Sequence, residues 1–298
     1  MNPNLSRKCF AADIGATNCR FAIVDENGRI LRTERMKTPQ KNPVKIIKDH
    51  IRDFVDGEKL EGLAFSIAGP AVNGISFFTN LPGQPKICED DFKKFSPNVV
   101  LLNDAAAATY CEHCKDPQKD LVFITMSSGV GGAVIKSGKL INFKHISEEI
   151  GHTPIENESK YETRCGCESE KYNHWEAFCS GTHLIEFFNK WKEVEDKPSD
   201  FNPQKPAEIF AEAKNGNKQA QKFLREAFGR VNNAAIQKVI ERFTPEKIVF
   251  GGAVAINNKE ELLAELKSIK NLPEVIFTKY GDDISLIGAA KYLFQTGS

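Results

Sequence analysis

Apolar side chains recur at short intervals through Phe10-Ala-Ala-Asp13-Ile-Gly15-Ala-Thr17-Asn18-Cys-Arg-Phe-Ala-Ile-Val24, interrupted once by small and polar residues. Such runs, bounded by turn formers, read as strand, tight turn, strand. Asp25-Glu-Asn27-Gly28 is a strong hairpin signal leading to a third strand near Arg29 to Glu34, so three antiparallel strands open the chain. Pro43 to Gly57 then has helical spacing. Gly62 to Ala68 reads as a buried strand ending in the loop Ala68-Gly69-Pro70-Ala71, and Phe77 to Gly83 as a turn-rich piece. Val99-Val-Leu-Leu102 is a strand passing at once into a helix at Asn103-Asp104-Ala. After Gly181 helices dominate: Leu184 to Val194, with Phe187, Phe188 and Trp191 spaced as core, then Pro206 to Lys214 and Asn217 to Phe243. Lys247-Ile-Val-Phe250 is a strand entering the glycine turn Gly251-Gly252. Ile284 to Phe294 is a closing helix whose Gly288-Ala289-Ala290 permits close packing.

The opening pattern occurs twice. Sliding Leu121-Val-Phe-Ile-Thr-Met-Ser127-Ser128-Gly129-Val-Gly131-Gly132-Ala-Val-Ile back onto the first hairpin sets Leu121 on Phe10, Ser128 on Thr17 and Ala133-Val-Ile on Ala22-Ile-Val. Two related domains, each starting with a hairpin whose small-residue turn can cradle phosphate, would form a cleft with a clamp on both walls. In the first turn Gly15, Thr17 and Asn18 can supply the cradle, with Asp13 at the strand end to face a magnesium ion through water, although Gly-x-Thr-Asn alone reads as an ordinary polar hairpin.

A length of 298 residues agrees with about two domains. Forty basic and forty acidic residues cancel, which argues against nucleic acid or an anionic membrane as the main partner. Mean hydropathy is negative, and no uncharged apolar run is long enough to span a bilayer. Met1-Asn-Pro-Asn-Leu-Ser-Arg-Lys lacks the apolar centre of a secretory signal. A cytoplasmic protein is therefore expected, its eight cysteines thiols or metal ligands rather than disulfides.

The densest chemistry lies between residues 145 and 181. Glu149-Ile-Gly151-His152, Cys165-Gly-Cys167, His174 and Glu176 collect there, and Ser180-Gly181 closes the stretch. His152, Cys165, Cys167 and His174 make a soft nitrogen and sulfur set suited to a four-coordinate structural zinc, although Cys-x-Cys is a tighter pair than zinc loops usually carry. Glu149 and Glu176 remain to accept hydrogen bonds from neighbouring hydroxyls of a small polar ligand. Scattered surface residues and reduced thiols are the plainer reading. At the other strand end, Asp104 is the best candidate general base, held rigidly where a substrate enters, and a helix N-cap is an equally good reading of Asn103-Asp104. Cys111-Glu-His-Cys114, at a helix end with no partner pair nearby in sequence, reads as two idle thiols.

Asp13-Ile-Gly-Ala-Thr-Asn, Asn103-Asp104-Ala, Ser128-Gly-Val-Gly-Gly, Glu149-Ile-Gly-His152, Cys165-x-Cys167, Glu176-x-x-x-Ser180-Gly181, Ile248-Val-Phe-Gly-Gly and Leu286-Ile-Gly-Ala-Ala, in that order, resemble the ROK family of sugar kinases and repressors. The resemblance covers the whole chain. It implies a two-domain α/β fold of the actin-like (ribonuclease H-like) ATPase type with an interdomain cleft. The expected division is a small N-terminal domain, 1–107, completed by a C-terminal helix, 284–298, and a large domain, 108–283, carrying the zinc and nucleotide loops.

The activity implied is transfer of the ATP γ-phosphoryl group, with Mg2+, to a hexose hydroxyl. The aspartate matching Asp104 accepts the proton of the sugar 6-hydroxyl. Asn80, Asn103, Asp104, Glu149, His152 and Glu176 hold the sugar, with Gly69 through its backbone. Gly15, Thr17, Gly131 and Gly132 match the phosphate turns, and Gly251 and Gly252 the nucleotide loop. His152 would serve both sugar and zinc. The family's cysteine loop usually carries a third cysteine where His174 stands, and the loop is two residues longer here; zinc accepts either ligand. Ser147-Glu148 also replaces the small residues common before Glu-x-Gly-His. Glucose is the expected hexose, with N-acetylmannosamine, fructose and mannose as alternatives, and a homo-oligomer, dimer or tetramer, is the expected assembly. A sugar-sensing repressor is the rival reading, and Asp13 leaves no room before it for the helix-turn-helix domain such proteins carry.

Overall fold

The computed structural model describes residues 6–79, 81–141, 143, 148–167, 173–195 and 201–297. It divides into two compact units, residues 1–117 with 280–298, and 118–279.

In the first unit, strands β1 (Lys8–Ile14), β2 (Asn18–Asp25) and β3 (Ile30–Lys37) form the antiparallel meander that the hairpin signals predict. Helix α1 (Pro43–Val55) starts on a proline, whose fixed φ suits the first helical turn. Strands β4 (Leu63–Ile67) and β8 (Val99–Asn103) pair in parallel beyond β1, giving the order β3-β2-β1-β4-β8. Between them, β5 (Ala71–Val72), β6 (Ile75–Phe77) and β7 (Lys86–Cys88) make a small antiparallel sheet. Helix α2 (Asp104–His113) follows β8 with no intervening residue. The core is aromatic: Phe10, Phe21, Phe65 and Phe92 are fully buried with Ile47 and Ile51 of α1.

The second unit repeats this plan. Strands β9 (Leu121–Met126), β10 (Val130–Lys136) and β11 (Lys139–Leu140) form the meander. After the helices α3 (Glu176–Cys179), α4 (Leu184–Val194), α5 (Pro206–Lys214), α6 (Lys218–Phe223) and α7 (Gly229–Phe243), β12 (Lys247–Gly251) pairs in parallel with β9. Helices α8 (Ala253–Asn257) and α9 (Lys259–Leu266) lead to β13 (Glu274–Phe277), parallel to β12. The resulting order, β11-β10-β9-β12-β13, matches the first sheet strand for strand in both sequence order and direction. The sequence overlay of the two hairpins therefore corresponds to a repeated sheet topology. Phe187, Phe188 and Trp191 are buried in the core of this unit, as their spacing predicts. A single turn of π-helix, Leu224–Phe228, separates α6 from α7, where an unbroken helical run is expected from sequence.

The chain ends in α10 (Ile284–Thr296), which belongs to the first unit. A Cβ on Gly288 would lie 1.8 Å from the Ala107 carbonyl oxygen, so α10 and α2 touch backbone to backbone and no larger residue fits. The unit boundaries fall at 117/118 and 279/280 rather than at 107/108 and 283/284. Residue 107 is in the middle of α2, which packs as one rigid helix, and Tyr280 is held in the first unit, its ring under the Lys115 ammonium at 4.2 Å.

Among the described residues no helix is long and apolar enough to cross a membrane. None of the eight cysteines forms a disulfide, Cys111 and Cys114 included.

Candidate functional site

At the β8–α2 junction of the first unit, the two sequence readings of Asn103-Asp104 separate onto different residues. Asn103 is the cap: its side-chain oxygen accepts from the backbone N–H groups of Ala105 and Ala106 at 3.0 and 3.2 Å, and its Nδ2 donates to the Gly69 carbonyl at 3.0 Å. That second bond ties the β8 end to the loop after β4. Asp104, released from the cap position, is the first residue of the helix and accepts from the Ala105 N–H at 2.8 Å. It keeps some exposed surface, yet protein atoms crowd its carboxyl and the negative Asp13 lies near. Desolvation first, then Asp13, push its pKa up to about 6.

Asp13, near the end of β1, is held on both sides. Its Oδ1 accepts from the Ser66 hydroxyl at 3.0 Å and its Oδ2 from Arg20 at 2.8 Å. The same guanidinium reaches Asp283 Oδ1 at 3.0 Å and the Asp282 carbonyl, so Arg20 ties the carboxylate to the segment before α10. In the adjoining turn the Gly15 N–H donates to the Asn18 carbonyl at 3.0 Å and is therefore engaged in closing the turn. Ala16 and Thr17 are exposed at its tip. Asn80, an expected sugar contact, lies outside the described residues.

In the second unit, Ser127 and Ser128 form the matching turn, closed by the Ser127 N–H donating to the Gly129 carbonyl at 2.8 Å. Gly131 and Gly132 sit past that turn, in β10, opposite Thr125 and Ile124. The segment after α3 backs the turn: the N–H of Gly181 donates to Ser127 O at 2.6 Å and the N–H of Thr182 to Ser128 O at 3.1 Å. This gives Ser180-Gly181 a packing reason, since a Cβ on Gly181 would come within 2.8 Å of Ser127 O. At Gly252, φ is +82° and a Cβ would lie 2.3 Å from the Met126 carbonyl oxygen, so only glycine fits. The room saved at Gly251 is filled by the Phe123 ring, 2.6 Å from where a Cβ would sit. Protein packing thus gives both glycines a structural reason.

Glu149 opens a single 3-10 turn, Ile150–His152, in which the His152 N–H donates to Glu149 O at 3.0 Å and the Thr153 hydroxyl to Ile150 O at 2.7 Å. The turn lies directly on β10: a Cβ on Gly151 would sit 1.8 Å from Val130 O. Glu176, first residue of α3, accepts the Val130 N–H at 2.8 Å, and burial raises its pKa. Glu176 and the turn that carries Glu149 therefore both meet one residue of the hairpin, Val130.

His152 faces two ways. Its Nε2 lies 3.9 Å from Glu149 Oε2, and its Nδ1 lies 3.3 Å from His174 Nδ1 and 3.6 Å from Cys165 Sγ. His174 Nδ1 is also 3.3 Å from Cys165 Sγ and 3.5 Å from Cys167 Sγ. The four ligand atoms all lie within 4.8 Å of one another. A tetrahedral zinc with bonds of about 2.0–2.1 Å to nitrogen and 2.3 Å to sulfur separates two nitrogens by roughly 3.3 Å, and nitrogen from sulfur by roughly 3.6 Å. These side chains fit that ion. Both imidazoles are buried, and burial followed by His174 lowers the His152 pKa to about 4, leaving it in the neutral, ligating form. Backbone pairing builds the site, because the Trp175 N–H donates to Thr153 O at 2.9 Å and the Ile155 N–H to Asn173 O at 2.8 Å, bringing the two histidine segments side by side.

The ROK family model matches residues 9–296. A glucokinase of Pyrobaculum calidifontis is 30% identical over 97% of this chain and 96% of its own length. An N-acetylmannosamine kinase of Haemophilus influenzae is 29% identical over 96% and 95%. The crystal structure of the ROK hexokinase from Thermus thermophilus superposes with a TM-score of 0.77 at 22% identity, covering 98% of this chain and 100% of that one. Its likeness gives the fold, the actin-like α/β architecture already evident in the two repeated sheets. The chain belongs to the ROK family, and these relatives are sugar kinases.

Proposed function

We propose that this protein is an ATP-dependent hexose kinase acting on the 6-hydroxyl of glucose. The observation that carries the reading is Asp104, freed from capping by Asn103 and with its pKa raised to about 6. A base that titrates just below neutrality is ionised at working pH yet basic enough to take a hydroxyl proton, which contributes on the order of 10² to 10⁴ in rate. Its fixed place at the start of a helix that leaves a strand directly supplies the alignment.

Glu149, His152 and Glu176 accept from or donate to the remaining sugar hydroxyls, with Asn103 and the Gly69 backbone on the first unit. The turns around residues 15–18 and 127–129 hold the nucleotide phosphates, with Gly251 and Gly252 beside the nucleotide. Asp13 would order water around a magnesium ion, which would neutralise the charge developing on the transferred group. His152, Cys165, Cys167 and His174 would hold a zinc ion, which would stiffen the Glu149–His152 turn, and the chain's part is to present two buried neutral imidazoles and two thiols already in place.

Glucose is favoured because Glu149 and His152 together suit free 1- and 2-hydroxyls, and a glucokinase is among the relatives. The N-acetylmannosamine kinase is nearly as similar, so the sugar is decided by assay. A coupled measurement of ADP release over glucose, N-acetylmannosamine, fructose and mannose tests the reading. It fails if ATP is consumed equally with and without sugar.

A further inference from the structure

Glu149 and His152 sit on a single short turn, not on a long helix or strand, so something outside the turn must fix it to ligand-binding precision. β10 supports its inner face through Gly151. Its two shoulders are carbonyls gripped by cations from α7. Arg242 donates to Glu148 O at 2.9 Å, just before the turn. Lys238 donates to Pro154 O at 2.8 Å, just after it, and pairs with the Glu156 carboxylate. The two cations are four residues apart, one helical turn, so they leave the same face of α7. α7 itself is seated in the core by the buried side chains Val231, Ala235, Ile236 and Val239. Arg242 is steadied by the Phe243 ring, 4.6 Å from its guanidinium. Pro154 is also the residue bridged to His174, so the Lys238 shoulder bears on both histidines.

We propose that Lys238 and Arg242 are positioning residues, which set the affinity for sugar by clamping the Glu149–His152 turn from outside and take no part in phosphoryl transfer. This rests on the kinase reading for its kinetic test but not for its binding test. With sugar varied at saturating Mg-ATP, Arg242→Ala raises the sugar KM about five- to tenfold, and Lys238→Met about threefold, as the loss of one charged hydrogen bond at a partly exposed site should. The KM for Mg-ATP and the kcat change by less than about twofold, the pattern of lost uniform binding. Arg242→Lys restores most of the loss, and zinc content stays at the wild-type level. A protein that merely lost rigidity would move all three constants and the metal together. An unchanged sugar KM in both variants, or an equal rise for Mg-ATP, overturns the clamp. Should Arg242→Ala not fold, Arg242→Gln carries the same comparison. If the wild type phosphorylates no sugar, the kinase reading falls. Calorimetric sugar binding then decides separately, an unchanged Kd in Arg242→Ala and Lys238→Met counting against the clamp and a five- to tenfold weaker Kd in Arg242→Ala for it.

Discussion

Glu176 Oε2 accepts the backbone N–H of Val130 at 2.8 Å, and the carbonyl of the same Val130 lies against Gly151. One peptide segment of the second hairpin thus sets the position of Glu176 through its donor side and of the Glu149–His152 turn through its acceptor side. The glycines around it follow from that crowding. A Cβ on Gly129 would sit 2.6 Å from the same Glu176 oxygen.

Gly151→Ala is the sharpest test of that contact. The added methyl would lie 1.8 Å from Val130 O, which is backbone and cannot step aside. Overpacking of this kind costs about 1–3 kcal/mol. The melting temperature should fall by several degrees and the sugar KM should rise, both read on the purified variant by thermal unfolding and steady-state kinetics. A variant with wild-type melting and KM would mean that the turn does not rest on β10.

The soft ligand set predicts about one zinc per chain by metal analysis of protein purified without chelator. Cys165→Ser and Cys167→Ser should each lower the zinc content and the melting temperature. Chelation of the wild type should weaken sugar binding, because His152 belongs to both the cluster and the turn. Full activity and stability in metal-free protein would remove the zinc from the account.

The carboxyl of Asp104 titrates at about 6, above the ordinary 3.8. A raised carboxyl pKa means the folded state holds the proton more tightly than the unfolded chain. Stability therefore falls as pH rises from about 4 to 6, by at most about 3 kcal/mol, and stays at the lower level above that. Activity runs the other way, since only the ionised base works: kcat/KM should fall as pH drops through about 6. A pH–rate profile flat from 5 to 8 would contradict this, as would an Asp104→Asn variant that melts below the wild type at pH 7.5.

Arg20 shields the charge that raises Asp104. It pairs with Asp13 at 2.8 Å, and Asp13 is the second cause of the shift after burial. Arg20→Gln leaves that carboxylate unneutralised and should move the acid limb of the pH–rate profile to higher pH by a fraction of a unit. No movement, or movement to lower pH, would show that Asp13 does not bear on the base.

Much of this architecture can be read from residue order. Helices α4 and α5 begin and end where apolar spacing and Pro206 place them, and the first meander announces itself through Asn27-Gly28 flanked by apolar runs. The zinc-type cluster is legible because its residues are close in sequence and chemically unlike their surroundings. Other features leave no local trace. Strands β5, β6 and β7 are two or three residues long, too short for a period. The π-helical turn preserves helical composition. The packing reason for Gly251, the Phe123 ring 2.6 Å from where a Cβ would sit, is invisible in the sequence. Arg20 with Asp283, and Arg242 with Glu148, join residues far apart in the chain and resemble ordinary surface charge until folded.

The most direct measurement is sugar-dependent phosphoryl transfer by Asp104→Asn beside the wild type, with sugar binding followed on the same samples. If Asp104 takes the hydroxyl proton, turnover drops on the order of 10²- to 10⁴-fold while the sugar Kd stays within a few-fold. Turnover near the wild-type rate in that variant would contradict the central claim.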